Sequence, residues 1–165
     1  MPMPVRIMSD LHLEFAPFNP DVLSNEKGMV LVLAGDTFPI AEYRKNEDMR
    51  QRYVSILKDV CARHRYVVYV FGNHEFYCNG HFNGPQNEFK YFRDVVIPDV
   101  GYGNLVLLEQ SDFVVDDVAF IGATMWTDFQ NENPIAMYNA KQMMNDYRDR
   151  KSTRLHSSHI TRSRM

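Results

Sequence analysis

The sequence predicts an α/β fold built on a parallel sheet, and two observations carry that prediction. Met29–Ala34 (MVLVLA) and Tyr66–Phe71 (YVVYVF) are continuous apolar runs of strand length, each stopped by a glycine, Gly35 and Gly72. Apolar runs without polar alternation read as strands covered on both faces. Between them Tyr53, Ile56, Leu57, Val60, Cys61 and His64 recur at helical spacing with charges in the gaps, the apolar stripe of an amphipathic helix. Strand, helix and strand in succession imply a parallel crossover pair.

The remaining elements follow in chain order. Val5–Met8 is a short strand closing at Ser9-Asp10. Residues 84–97 form a helix with Phe89, Phe92 and Val96 on one face, ended by Pro98. Leu105–Leu108, Phe113–Val115 and Val118–Gly122 are three further strands, the last two joined at Asp116-Asp117 as a tight hairpin. Ile135–Tyr147 is Met-rich and helical, with Met137, Met144 and Tyr147 on one side. From Lys151 the composition turns to Ser, Thr, Arg and His, a poorly packed stretch. The expected organisation is one domain, residues 1–150, and a basic, disordered tail, 151–165.

Composition narrows the function classes. With 165 residues, 45% hydrophobic and 24% charged, the chain suits one globular domain and excludes disordered or collagen-like classes. No apolar run approaches the roughly 20 residues of a membrane helix, and the N-terminus shows no secretory leader. Only two cysteines, Cys61 and Cys78, occur, so reduced thiols in a cytoplasmic protein are expected. Residues 1–150 hold all 21 acids against 14 of the 18 basic residues, a net −7, while the tail carries +4. An acidic body repels nucleic-acid phosphate; nucleic acid enters only as a substrate at a metal-rich cleft.

Three strands end in groups that bind cations: Asp10-Leu11-His12, Gly35-Asp36 and Gly72-Asn73-His74-Glu75. In open α/β sheets the loops at the carboxyl ends of the strands converge on one crevice. Asp10 and His12, two apart on an extended stretch, point the same way. Asp36 has two oxygens and can bridge two ions, and Asn73 offers an amide oxygen. A mixed Asp/His/Asn set suits Zn, Mn or Fe better than Ca. Glu75 reads either as a hydrogen-bonding partner of a loop or ligand histidine or as a solvated loop carboxylate. Phe76, Tyr77 and Phe82 near that loop are candidates to gate entry, and Trp126 reads as core packing ahead of a wall of the cleft.

These three segments together resemble the signature of the calcineurin-like metallophosphoesterases, D-x-H … G-D … G-N-H-[DE]. Gly122–Phe129 and Met144–Arg148 are similar to segments of bacterial and phage members, so the resemblance spans about residues 5–150. It implies a two-sheet sandwich flanked by helices (αββα). It implies two divalent ions, Mn, Fe or Zn, one held by Asp10, His12 and Asp36, the other by bridging Asp36 and Asn73. It also implies a phosphate-ester substrate, monoester or diester, attacked by metal-bound hydroxide, with His74 protonating the leaving oxygen as general acid. Two patterns of the family are missing. Some members carry an acid that orients the histidine where Pro39 stands. The later histidine motifs, a paired His-His and a Gly-His-x-His loop, have no counterpart: residues 76–165 hold only His81, His156 and His159. The expected fold is therefore incomplete at the C-terminus, as from a truncated or frame-shifted longer enzyme. The second reading is a catalytically inactive fragment with a weak metal site or a partner-binding role.

Overall fold

The computed structural model describes residues 3–16, 18–19, 26–77 and 84–144. Four parallel strands lie in the order β1 (Val5–Met8), β2 (Glu26–Ala34), β3 (His64–Val70) and β4 (Leu105–Leu108), so sequence order is spatial order. Val30, Val32 and Ala34 of β2 face Tyr66, Val68 and Val70 of β3, and Val67 to Val70 face Leu105 to Leu108 of β4.

Side chains alternate across this sheet, which explains its unbroken apolar runs. Leu31, Leu33, Val67, Tyr69, Phe71 and Leu105 point to a helical layer made by α1 (Ile40–Lys45), α2 (Glu47–Arg63) and α3 (Pro85–Tyr91), the last continued by a π segment at Phe92–Val96 and α4 at Ile97–Val100. Val30, Val68 and Leu108 point the other way, toward Phe113 and Phe120 of an antiparallel hairpin, β5 (Ser111–Val115) and β6 (Val118–Gly122). The protein is thus an α/β molecule with a parallel sheet, a second sheet and helices, as expected. The hairpin turns at Asp116, whose φ is +51°.

The helical layer is aromatic at its centre. Phe38 stacks on Tyr53 with ring centroids 4.4 Å apart, and Phe71 stacks on Phe89 at 4.6 Å. Part-buried polar contacts tie the helices together: Arg44 donates to Glu88 at 2.8 Å, while Tyr43 and Arg50 both donate to Asp99, at 2.7 and 2.6 Å.

Four expectations need correction. His64 does not extend the α2 stripe; it starts β3, buried between the Val60 carbonyl and Glu26. Pro98 does not end the helix, because the wider π turn ahead of it carries the chain through to Val100, where Gly101 (φ +71°) terminates it. Phe76 is no gate: a 3-10 turn at His74–Phe76 folds it inward until it is 1% exposed. Trp126 is 47% exposed and leans on Phe76. The Met-rich helix, α5, covers Pro134–Met143 and buries none of its residues. Tyr147, Cys78, His81, Phe82, His156, His159 and the tail lie outside the described residues.

Candidate metal centre

The loops that follow β1 and β2 continue as a pair beyond the strands. Asp10 N donates to Gly35 O at 3.1 Å, His12 N to Asp36 O at 3.0 Å and Leu13 N to Thr37 O at 2.9 Å. Asp10, His12 and Asp36 all have left-handed backbones, with φ of +55°, +45° and +54°. Non-glycine residues avoid this region, so three in a row at strand ends mark backbone held against its preference. The extended geometry expected for Asp10-Leu11-His12 is therefore replaced by a turned one. It still brings the pair together, with Asp10 Oδ1 4.0 Å from His12 Nε2.

The loop after β3 joins them through glycine. A Cβ on Gly72 would lie 2.2 Å from Asp36 Oδ1, and one on Gly35 would lie 2.9 Å from Gly72 Cα. Only hydrogen at both positions lets these backbones pass so closely. Asp36 Oδ1 accepts from His74 N at 2.9 Å, which docks the carboxylate beside the Gly72-Asn73-His74 turn.

Glu75 is fully buried, and its carboxylate clamps both loops. Oε2 accepts from Gly72 N at 2.7 Å and Asp36 N at 3.0 Å; Oε1 accepts from Thr37 N at 2.7 Å and the Tyr69 hydroxyl at 2.9 Å. Burial pushes its pKa upward, opposed by these donors. Of its two sequence readings, the loop partner is the one observed.

His12, Asp36 and His74 present ligand atoms that all lie within 4.8 Å of one another. Asp10 lies outside that group, next to His12, with its side chain 67% accessible against 30% for His12 and 16% for His74. Asn73 Nδ2 lies 3.4 Å from the Tyr77 hydroxyl. A divalent metal fits this donor set: imidazole nitrogen and carboxylate oxygen suit Zn, Mn or Fe.

Glu14 is the residue the sequence reading passed over. It stands two positions after His12, the same spacing that singled out Asp10, and its carboxylate touches the ring nitrogens of both histidines. A cleft of about 370 Å³ opens beside His74, lined by Glu14, Phe15, Pro39, Lys45 and Tyr77. Tyr77 lines this cleft, stacked on the His74 ring at 4.2 Å. A larger hollow, about 480 Å³, lies between Phe18, Ile56 and Tyr102 and holds no member of the cluster. The buried Cys61 thiol is pushed up to about 12 by desolvation, which leaves it a packing group. Among the described residues no helix is long and apolar enough to cross a membrane.

A family model described as calcineurin-like phosphoesterase matches residues 3–162. Among solved structures, the phosphopantetheinyl hydrolase of Mycobacterium tuberculosis is similar at 17% identity and a TM-score of 0.49. That match covers 84% of this chain and 50% of the hydrolase, so the chain spans about half its length. Comparison with curated proteins gives no match.

Proposed function

The chain belongs to the calcineurin-like phosphoesterase family, and we propose that it hydrolyses a phosphate monoester or diester in a metal-dependent reaction. The observation that carries this reading is the convergence of His12, Asp36 and His74 within 4.8 Å at the ends of three parallel strands. Asp10, His12 and Asp36 would hold one divalent ion, Mn, Fe or Zn; Asp36, as a bridge, and Asn73 would hold a second. Bound there, such ions supply an electrophile for phosphoryl oxygens and hydroxide near neutral pH.

The chain's own residues do the rest. Gly35 and Gly72 let the loops close until the Asp36 carboxylate sits between them. Glu75 fixes that loop crossing from below. His74 protonates the leaving oxygen, a role worth typically 10²–10⁴-fold in rate. The ester's organic portion lies in the cleft walled by Phe15, Lys45 and Tyr77, where Lys45 offers a cation to an anionic substrate. The low cysteine count supports a cytoplasmic setting, and nucleic acid counts here only as one class of phosphodiester.

Manganese-stimulated hydrolysis of p-nitrophenyl phosphate or its bis-ester is the test. Turnover abolished by Asp36→Ala and by His74→Ala supports the reading. Absence of turnover with Mn, Fe and Zn alike would leave the inactive-fragment alternative standing in its place.

A further inference from the structure

We propose that Glu14 is the positioning residue of this centre: its carboxylate fixes the His74 ring with the proton on Nδ1, so that Nε2 serves the cleft. The inference rests on the reading of His74 as the group that works on the substrate.

Glu14 Oε1 lies 2.7 Å from His74 Nδ1 and 3.4 Å from His12 Nδ1, and the two Nδ1 atoms are 3.2 Å apart. The Glu14 side chain is only 8% exposed, and its Oε2 is buried with no hydrogen-bond partner. A carboxylate taken that far out of water needs charge-assisted bonds to remain there. The hydrogen-bond partners the structure gives Glu14 are these two imidazoles. An ionised carboxylate only accepts, so the nitrogen it touches must carry the proton. The other ring nitrogen is then the one left for chemistry, which is how a neighbouring acceptor selects a histidine tautomer.

The backbone holds Glu14 in place for this task. Phe15 N donates to His12 O at 2.9 Å and closes a turn. Leu13, fully buried, anchors that turn in the core and donates its N–H to Thr37 O. The His74 ring is thus gripped along its edge by Glu14 and across its face by Tyr77, with centroids 4.2 Å apart. His12 Nδ1 lies 3.4 Å from the same oxygen and 3.2 Å from His74 Nδ1, while its Nε2 lies 4.0 Å from Asp10 Oδ1.

The test compares the wild-type chain with Glu14→Leu, which removes the acceptor, and Glu14→Gln, which keeps an acceptor oxygen without the charge. Imidazole ¹⁵N spectra of the metal-free proteins at one fixed pH report the His74 tautomer. The wild type is expected to show protonated Nδ1, Glu14→Leu a shift toward protonated Nε2, and Glu14→Gln a partial return. With Mn added, kcat should fall about 10- to 100-fold in Glu14→Leu, the usual range for an outer partner of a site histidine, with KM nearly unchanged and Glu14→Gln in between. A folded Glu14→Leu protein with the wild-type His74 spectrum, or with wild-type kcat, overturns the proposal. If Glu14→Leu does not fold, a Glu14→Gln protein with wild-type spectrum and kcat overturns it instead. Lack of turnover in the wild type would defeat the phosphoesterase reading alone, because the spectra still decide what Glu14 does.

Discussion

Replacing Glu75 by alanine removes a single carboxylate that four donors share: the backbone N–H groups of Asp36, Thr37 and Gly72 and the Tyr69 hydroxyl. The hydroxyl can rotate away, but three amide N–H groups have fixed directions. Each buried donor left without an acceptor costs about 1–3 kcal/mol. Water entering the vacated space recovers part of this, so the net loss should be about 3–5 kcal/mol, comparable to breaking a buried ion pair. With a urea dependence of about 2 kcal/mol per molar, the unfolding midpoint should drop by about 1.5–2.5 M. Glu75→Gln keeps one oxygen. Oriented so that this oxygen faces Gly72 and Asp36, it strands mainly the Thr37 N–H and should cost about 1–3 kcal/mol. Urea titration followed by tryptophan fluorescence and by circular dichroism reads both variants. Metal affinity should fall about 10- to 100-fold even in the milder variant, because the backbone of Asp36 is no longer pinned. A Glu75→Ala protein that unfolds at the wild-type midpoint would refute the clamp.

Gly72→Ala should abolish tight metal binding in a protein that still shows native secondary structure, since its Cβ would meet Asp36 Oδ1 at 2.2 Å; calorimetric Mn titration checks this. Phe38→Ala should cost about 3–5 kcal/mol in urea unfolding, because Phe38 is fully buried and stacked on both Tyr53 and Tyr43. Burial disfavours the charged form of Asp99, but donors from Tyr43 and Arg50 outweigh it and hold its pKa below the usual carboxylate range. A depressed folded pKa stabilises above the unfolded value, about 4, and the contribution is lost as pH falls below it. Thermal unfolding from pH 6 down to pH 2 should therefore show a shallower acid decline in Asp99→Asn than in the wild type.

The strands were legible because both faces of this sheet are covered, so β2 and β3 had to be apolar throughout, and because glycines stop each run where the loops cross. The motif residues Asp10, His12, Asp36 and His74 followed from that, lying where strand ends must converge. What stayed hidden was set by contacts distant in sequence. The six-residue α1 is too short to show a period, and Pro39 before it gives no side-chain cap. Phe76 and Trp126 departed from their expected roles because a 3-10 turn, which no local pattern marks, rotates Phe76 into the core and leaves Trp126 against it. Glu14 looked like one more loop acid; its meaning depends on a turn anchored by Leu13 and on a histidine 60 positions later.

Equilibrium dialysis of the full chain against Mn²⁺ tests the central claim most directly. Saturable binding of two ions per wild-type chain is expected, with loss of both in Asp36→Ala, since that one carboxylate would be shared. Binding that is absent in the wild type, or that survives Asp36→Ala unchanged, would contradict it.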